Sequence, residues 1–434
     1  MTDSIVASAI EISGGSSPPE TLIVRRSRLY GTVRISGAKN SALRLLAASL
    51  LTDEPVTLTN FPTDLLDAQV HIDMLEVLGK SVRTEARDHI VIATAESGID
   101  DLVWRGRSIR NTLLILGALT ARHGHGRVPL PGGCKLGDRK YDLHVMLLEA
   151  LGARVWEEGD NLVAAAENGL VGADIHLPIR STGATENAIL CGTLARGRTV
   201  IWNPHIRPEI LDLIGLLRKM GADIDVYGQE RIEINGQEGL TGAVHQVIPD
   251  NMEAVTWLAA AAMTGGEIEI LDMPFADLEV VLAHLKAAGA QIYARGDAAV
   301  IRGSNCYPIE ISTGPHPGIN SDVQPILAAW GACAKGESRI VDLRFPGRYG
   351  YALEMAKMGV EYAIDGDMLR ITGRGGALIG AEVRALDLRA GAALTLCGMV
   401  AEGETRILDP WQIFRGYSNF RDKLAGLGAE IESE

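Results

Sequence analysis

Six alanine-rich apolar segments recur along the chain, and the same succession of apolar and polar positions follows each one. The segments are NSALRLLAASLL, RNTLLILGALTAR, TENAILCGTLARG, MEAVTWLAAAAMTGG, VQPILAAWGACAKG and AGAALTLCGMVAEG. Each is apolar nearly all round, which predicts a buried helix. A short β-branched run such as TVIWN or EIEILD predicts the strand that follows. Apolar residues three or four positions apart, as in EILDLIGLLRKMG, then predict an amphipathic outer helix.

A glycine follows each predicted outer helix at a nearly constant spacing. These glycines stand at positions 79, 152, 221, 289, 359 and 428, so that neighbouring positions differ by 68 to 73 residues. Such a period is too long for a solenoid repeat. We therefore predict an α/β fold of six βαβαββ-like modules, divided into two domains of three modules each. The polar starts of the buried helices, such as SGAKNS and STGATEN, would point helix N-termini, which favour anions, at a common place.

Composition narrows the functional classes. Apolar residues make up 47% of the chain and aromatic residues only 5%, which favours layered packing of small side chains. The formal net charge of −14 opposes a general role in binding nucleic acids or membrane surfaces. Residues 1–20 read as a disordered lead-in rich in Ser, Gly and Pro, without the features of a secretory signal. We expect no nucleic-acid, membrane or obligate protein partner.

The five cysteines are dispersed and form no CxxC pair, which argues against a disulfide framework or a zinc site. Free thiols are typical of a reducing compartment, so the expected location is the cytoplasm. In the stretch PGGCKLGDRKYDLH, Cys134 lies among glycines, with Lys135, Arg139 and Lys140 close behind it. Nearby positive charge lowers the pKa of a thiol and makes it reactive. The alternative is a surface turn in which the cysteine is incidental.

The chain has no P-loop, GxGxxG, HExxH or GxSxG motif. Instead, GTVRISGAKNSALRLLAASLL resembles the opening of UDP-N-acetylglucosamine enolpyruvyl transferases (1-carboxyvinyltransferases), which use phosphoenolpyruvate in the first committed step of peptidoglycan synthesis. The resemblance covers essentially the whole chain after Leu22 and continues through RVPLPGGCKLGDRKYDLH, STGATENAIL, VIPDNMEA, GPHPGINSDVQ, DLRAGAAL and FRGY. It implies the enolpyruvyl transferase fold, a two-domain inside-out α/β barrel.

The resemblance also implies catalytic roles. Lys39, Arg139 and Arg415 would bind the phosphate and carboxylate of phosphoenolpyruvate, and cations of this kind suit such an anion. Lys39 and Arg415 would thereby act in catalysis as well as in binding. Asp322 would be the general base for the acceptor hydroxyl. Cys134 would be either the acid of the loop or the residue that governs phosphoenolpyruvate binding and product release.

A second set of residues would serve the acceptor, a uridine nucleotide. Its members would contact the sugar, the uracil or the nucleotide phosphate, or would add positive charge to the cleft. The residues around the sugar would be Asn40 and Arg110, with Asp322, and those against the uracil would be Asp142 and Leu143. The nucleotide phosphate would face Ser181, Thr182 and Gly183, and the added positive charge would come from Arg348 and Arg389.

The mechanism that the resemblance implies is addition–elimination. The acceptor hydroxyl attacks C2 of phosphoenolpyruvate while C3 is protonated, and phosphate then leaves a tetrahedral intermediate to give an enol ether. We expect no metal and no redox cofactor, because phosphoenolpyruvate is a co-substrate. The expected domains are residues 21–37 with 249–434, and residues 38–248, which carry the Cys134 loop. The active site would lie in the cleft between them.

The chain departs from the family pattern on the acceptor side. Asn251 replaces an interdomain arginine in the family's PDRIEAGT, Asn320-Ser321 replace the residues before Asp322, and ENRF becomes Pro346–Tyr349. Arg344 stands where the family often has an apolar residue near the sugar. Arg344 would bind the acceptor and compensate charge where a sugar otherwise packs.

These departures leave three functions open. The first is transfer to the 3-hydroxyl of UDP-N-acetylglucosamine. The second is transfer to the ribose 3′-hydroxyl of UMP, as in related transferases of nucleoside-antibiotic pathways. The third is a nucleotide-binding regulator that has lost catalysis, although the retained ionic residues argue against it. Phosphate release from phosphoenolpyruvate distinguishes the third function from the others.

Overall fold

The computed structural model describes residues 21–107, 109–131, 141–303 and 305–434. Within these residues the predicted modules are present: an edge strand, a buried helix, a central strand, an outer helix and two antiparallel strands follow one another in chain order. One module differs, because a single parallel bridge between Asp101 and Arg127 takes the place of its edge strand. The prediction of an α/β fold built from βαβαββ modules is therefore confirmed.

Each four-stranded sheet has the same topology. A short edge strand runs parallel to the central strand, and two antiparallel strands complete the sheet. In the described residues, and with the edge strand given first, two of the four-stranded sheets contain Ala243–Gln246, Val56–Thr59, His89–Thr94 and Lys80–Ala86, and Asp174–His176, Arg198–Trp202, Arg231–Asn235 and Asp223–Tyr227. Two more contain Tyr30–Arg34, Glu267–Leu271, Ala298–Arg302 and Gln291–Arg295, and Glu310–Ser312, Lys335–Val341, Met368–Arg374 and Glu361–Asp365. The remaining one contains Glu382–Arg384, Glu404–Leu408, Thr21–Arg25 and Ile431–Ser433. A three-stranded sheet contains His125–Pro129, Asn161–Ala165 and Arg154–Glu158.

The alanine-rich segments form the buried helices. Every residue of Leu388–Gly398 is buried, as the absence of a polar face in the sequence predicts. Asp250 and Asp387 cap two of these helices, and each carboxylate accepts hydrogen bonds from two backbone N–H groups of the first turn. The buried helices are Lys39–Ala48, Thr112–His123, Thr182–Leu194, Asn251–Thr264, Gln324–Cys333 and Leu388–Gly398.

The amphipathic segments form the outer helices, which cover one side of the buried ones. In Pro208–Lys219, for example, Ile210, Leu213 and Leu217 face the core while Leu211 is exposed. The outer helices are Leu66–Val77, Asp142–Ala150, Pro208–Lys219, Glu279–Ala287, Gly350–Lys357, Trp411–Phe414 and Phe420–Gly426, and short 3-10 turns lie at Ser49–Leu51, Phe275–Asp277 and Ser321–Val323. None of the helices in the described ranges is long and apolar enough to cross a membrane.

Long-range strand pairings close the arrangement into two rings. The first strand, Thr21–Arg25, pairs with Glu404–Leu408 and with Ile431–Ser433, so the N-terminal strand completes the last sheet. Likewise, Ala243–Gln246 runs parallel to Val56–Thr59 and completes the first sheet of the central part of the chain. Each ring therefore contains three modules, and neither depends on a strand from the other.

The buried apolar side chains form two clusters. One cluster runs from Ala42 to Val247, and we call residues 38–248 the central lobe. The other combines Leu22–Ile35 with Met252–Ala429, and we call residues 21–37 and 249–434 the terminal lobe. These clusters support the proposed division into two domains, which remains a proposal.

Two backbone segments connect the lobes side by side. Gly37 and Pro249 form an antiparallel bridge, in which Ala38 N donates to Ile248 O at 2.7 Å and Asp250 N donates to Ser36 O at 2.8 Å. Gly37 also lies against Asn60, and a Cβ atom at Gly37 would come within 1.8 Å of the Asn60 carbonyl oxygen. The lobes are thus joined by a short paired crossing with no room for a side chain at Gly37.

Replacing Asp250 tests how much its helix cap, which follows the crossing, contributes to the free energy of unfolding. Asp250 Oδ1 accepts from Met252 N at 2.8 Å and Glu253 N at 2.9 Å, and both bonds are lost in Asp250→Ala. We expect the free energy of unfolding to fall by about 1 kcal/mol, measured by urea denaturation. The control is Asp225→Ala, which changes an exposed strand residue; equal effects of the two substitutions would contradict the capping role.

Candidate active site

A cavity of about 1200 Å³ lies between the two lobes and is lined by residues of both. The N-terminal residues of all the buried helices reach it, as the repeat pattern predicted, and helix N-termini favour anions. Twelve of the residues proposed from the sequence line this cavity: Lys39, Asn40, Arg110, Asp142, Leu143, Ser181, Thr182, Gly183, Asp322, Arg344, Arg348 and Arg415. Arg389 is buried just behind Asp322. Cys134 and Arg139 lie outside the described residues, and their roles stay predictions.

The first group of charges in the cavity joins Lys39 and Arg415 through a carboxylate. Lys39 is the first residue of its helix, and its Nζ lies 2.7 Å from Asp67 Oδ2. Arg415 holds the same carboxylate with two nitrogens, Nε at 2.9 Å from Oδ1 and Nη2 at 3.3 Å from Oδ2. Burial alone would raise the pKa of Asp67, but Lys39 and Arg415 outweigh it and lower that pKa below its usual value. Asp67 is therefore ionised.

The second group surrounds Asp322, which follows the Asn320 turn at the start of helix Gln324–Cys333. Arg348 Nη1 lies 2.9 Å from Asp322 Oδ1, and Arg389 Nε lies 3.9 Å from Oδ2. Arg348 is fixed from its other side by Asp387, at 3.2 Å. Burial would raise the pKa of Asp322, but the Arg348 and Arg389 guanidinium groups dominate and hold it far below its usual range. Asp322 is a carboxylate aimed into the cavity.

The helix start Ser181–Gly183 forms the third group. Ser181 Oγ caps the helix by accepting from Ala184 N, and Thr182 Oγ1 lies 2.8 Å from His205 Nδ1. The backbone N–H of His316, in the terminal lobe, donates to His205 Nε2 at 3.2 Å. Since Nε2 accepts, Nδ1 of the neutral ring carries the proton and donates to Thr182. His205 therefore connects this helix start to the opposite lobe.

The central lobe contributes Arg110, Asp142 and Leu143 to the wall of the cavity, which we call the central-lobe wall. Asp142 is the first residue of helix Asp142–Ala150, and Leu143 is half-buried. Burial lowers the pKa of Arg110, and the nearby Asp142 carboxylate opposes that shift. This mixed polar and apolar wall is suited to a planar polar ring rather than to a purely apolar ligand.

Sequence reasoning missed several residues of the cavity. Asp67 and His205 make the contacts given above, and Arg207 is held by Glu209 through two contacts of 2.7 Å. Burial, reinforced by the Glu209 and Asp212 carboxylates, raises the pKa of Asp277 to about 6. Arg207 and Glu209 stand two residues apart in HIRPEI, which matches no motif considered in the sequence. Nothing in the sequence places Asp67 beside Lys39 and Arg415.

No group of three or more His, Cys, Asp and Glu side chains in the described ranges could hold a metal ion. The expectation that the reaction needs no metal or redox cofactor is not decided by that observation and stays a prediction. The cavity instead presents guanidinium and ammonium groups from both lobes, together with the starts of several helices. Such an arrangement binds small anionic ligands and stabilises negative charge that develops on them.

The comparison with protein families decides the assignment. A family model described as EPSP synthase (3-phosphoshikimate 1-carboxyvinyltransferase) matches residues 23–424. The chain belongs to this family of enolpyruvyl (1-carboxyvinyl) transferases. The UDP-N-acetylglucosamine 1-carboxyvinyltransferase of Caulobacter vibrioides (strain NA1000 / CB15N) is 40% identical over 418 residues, which cover 94% of this chain and 96% of that protein. The UDP-N-acetylglucosamine 1-carboxyvinyltransferase of Zymomonas mobilis is 40% identical over 417 residues, which cover 93% of this chain and 97% of that protein.

Solved structures of enolpyruvyl transferases share the fold. The enolpyruvyl transferase NikO from Streptomyces tendae matches with a TM-score of 0.84 at 26% identity, covering 96% of this chain and 99% of that chain. An EPSP synthase from Acinetobacter baumannii matches with a TM-score of 0.76 at 20% identity, covering 95% of this chain and 100% of that chain. At that identity the match shows a shared fold alone. The protein is therefore a transferase with the enolpyruvyl transferase fold predicted from its sequence.

The protonation state of His205 is open to direct measurement. Burial, with the nearby Arg207 and Arg344 guanidinium groups, lowers the pKa of His205 to about 4. Between pH of about 4 and about 6.5 the ring is therefore neutral in the folded protein, whereas an unfolded histidine, with a pKa of about 6.5, binds a proton. Stability contributed by the neutral ring is present above pH of about 6.5 and is lost as the pH falls toward 4. Nitrogen NMR of the ring should show titration near pH 4, with protonated Nδ1 above it.

The His205→Gln variant assigns the resonance in that titration. A ring that titrates near 6.5, or that carries its proton on Nε2, would contradict the hydrogen bond from His316 N to His205.

Proposed function

We propose that this transferase moves the enolpyruvyl group of phosphoenolpyruvate to the 3-hydroxyl of UDP-N-acetylglucosamine and releases phosphate, in peptidoglycan precursor synthesis in the cytoplasm. The observation that carries the proposal is one cavity that unites Lys39, Asp322 and Arg415 in a chain 40% identical to UDP-N-acetylglucosamine 1-carboxyvinyltransferases over 94% of its length. Both substrates are small molecules, and a cavity of about 1200 Å³ can hold them together.

Lys39 and Arg415 would bind the phosphate and carboxylate of phosphoenolpyruvate. Their side chains are only 11% and 12% exposed, so that their charges are weakly screened by water. Arg139 is proposed as the third cation from the sequence. A guanidinium group offers two parallel donors to an oxyanion, whereas an ammonium group is a compact charge, so the pair suits a ligand with two anionic groups.

The acceptor would lie along the central-lobe wall. Asp142 and Leu143 would contact the uracil, the helix start at Ser181–Gly183 would meet the diphosphate, and Asn40 and Arg110 would surround the sugar. Asp322 projects from the opposite lobe toward the same cavity. This arrangement would place a hydroxyl of the acceptor between the base and the phosphoenolpyruvate site.

The proposed reaction proceeds by addition and elimination. The acceptor oxygen bonds to C2 of phosphoenolpyruvate, its proton passes to Asp322, and C3 gains a proton from an acid, for which Cys134 is the candidate. Loss of a proton from C3 and cleavage of the bond between C2 and the phosphate oxygen then restore the double bond. Cys134 could equally govern phosphoenolpyruvate binding and product release. Closure of the lobes would exclude water from the charged intermediate.

A second acceptor, UMP, is favoured by the environment of Arg344. The Arg344 guanidinium lies 5.6 Å from the centre of the Phe345 ring and makes no ion pair within the described residues. Burial and the like charge of Arg207 lower the pKa of Arg344. An unpaired guanidinium on the acceptor side would suit a terminal phosphate, as in UMP, better than a neutral N-acetyl sugar. The ribose 3′-hydroxyl would then be the nucleophile.

Phosphate release from phosphoenolpyruvate tests the proposal. We expect turnover when the purified protein receives UDP-N-acetylglucosamine, because the match to transferases of that name covers 94% of the chain. UMP is offered in a parallel reaction, and a reaction without acceptor is the blank. Phosphate release with UMP but not with UDP-N-acetylglucosamine would identify UMP as the acceptor and would support direct binding of its phosphate by Arg344. Binding of either nucleotide without phosphate release would indicate the non-catalytic regulator instead.

Removing the base separates chemistry from binding. Asp322→Asn keeps the size of the side chain but cannot accept the hydroxyl proton, so we expect kcat to fall by about 100-fold or more. Calorimetric binding of phosphoenolpyruvate should be retained, because Lys39 and Arg415 are unchanged. Asp365→Asn, in an exposed strand outside the cavity, is the control with wild-type rates. Retention of kcat in Asp322→Asn would exclude Asp322 as the base.

A further inference from the structure

Asp67 is the residue of the cavity whose purpose the proposed reaction does not explain. Its carboxylate lies between Lys39 Nζ, at 2.7 Å, and the Arg415 guanidinium, at 2.9 and 3.3 Å. We propose that Asp67 is a positioning residue, an internal anion that assembles Lys39 and Arg415 into one binding site before phosphoenolpyruvate arrives and locks the two lobes together. This inference rests on the proposed function of that site.

The charges explain why such a residue is needed. Lys39 and Arg415 repel each other, and both side chains are nearly buried, so water screens them little. The side chain of Asp67 is only 5% exposed. With Asp67 ionised, the three groups carry a net charge of +1, which permits the cations to lie around one carboxylate and still attracts an anion. Without the carboxylate the same two cations would carry +2 and separate.

The position of Asp67 in the chain explains the connection between lobes. Lys39 and Asp67 belong to the central lobe, whereas Arg415 belongs to the terminal lobe. The main chain passes between the lobes at the crossing at Gly37 and Pro249. The ion pair from Asp67 to Arg415 is therefore a non-covalent link across the cavity itself. Since phosphoenolpyruvate would contact both Lys39 and Arg415, its binding is sensitive to this link.

The segment that carries Arg415 has further contacts with the central lobe. Asn419 N donates to Asp64 Oδ2 at 2.6 Å, and Ser418 Oγ donates to Asp64 Oδ1. The guanidinium of Arg107 lies 4.4 Å from the centre of the Trp411 ring. Asp64 thus joins the same two parts of the chain as Asp67, three residues away, but does not line the cavity. Asp64 provides a matched control that alters the link between lobes without altering the charge at Lys39 and Arg415.

The test compares Asp67→Asn, Asp67→Glu and Asp64→Asn with the wild type. Steady-state kinetics give kcat and the KM for phosphoenolpyruvate at low and high salt. For Asp67→Asn we expect kcat to fall about tenfold to 100-fold, because Arg415 and Lys39 lose their fixed positions. Its KM should also depend more steeply on salt than that of the wild type, since the charge of the site rises from +1 to +2.

The other variants separate charge from geometry. Asp67→Glu restores the negative charge, so its salt dependence should return to that of the wild type while part of the loss in kcat remains. Asp64→Asn should retain the wild-type salt dependence and lose less than threefold in kcat, about the effect of a small shift in a neighbouring contact. Small-angle X-ray scattering of the free proteins should show a larger radius of gyration for both asparagine variants.

Two outcomes would overturn the inference. If Asp67→Asn lost no more kcat than Asp64→Asn and kept the wild-type salt dependence, Asp67 would be a structural link only. If the radius of gyration of Asp67→Asn equalled that of the wild type, Asp67 would not hold the lobes together. Failure of the proposed function is distinguishable, because scattering needs no substrate and calorimetry measures the salt dependence of phosphoenolpyruvate binding without an acceptor.

Discussion

Mutual repulsion among cations is the constraint on which the rest of the site depends. The protein carries a net charge of −14, yet its central cavity is lined by several guanidinium groups and an ammonium group. Each set of cations is held by a carboxylate that contacts it directly. These sets are Asp67 with Lys39 and Arg415, Asp322 with Arg348 and Arg389, and Glu209 with Arg207. Because the carboxylates keep the cations in place, an entering anion meets a site that needs little rearrangement.

The module explains how one fold supplies so many charged groups to one place. Each buried helix is apolar over most of its surface, and its N-terminal end, which carries polar groups, faces the cavity. Three such helices start from each lobe, and the lobes contact each other at the paired crossing at Gly37 and around the cavity. The proposed catalytic groups therefore come from both lobes, and closure of the lobes over the substrates stays an expectation.

The sequence was informative where the determinants are local and repeated. The glycines used to detect the period all have a positive φ, between 82° and 102°, and each ends an outer helix, so their spacing reports the module directly. The site residues at helix starts could be predicted for the same reason. Asp67 and His205 could not, because their partners are distant in sequence: Asp67 lies 348 residues from Arg415, and His205 lies 111 residues from His316. Such pairs depend on how the lobes meet, which no local pattern encodes.

A final consequence concerns Asp322, the proposed base. Asp322 has a pKa held far below its usual range by Arg348 and Arg389, and a carboxylate in that state is a weak proton acceptor. Arg348 lines the cavity, so an anion bound beside it would offset part of its charge. Negative charge beside Arg348 would weaken its effect on Asp322, so the pKa of Asp322 would rise toward its usual value. Substrate binding would thus activate the base, and Asp322 would remain inactive toward water while the cavity holds no anion.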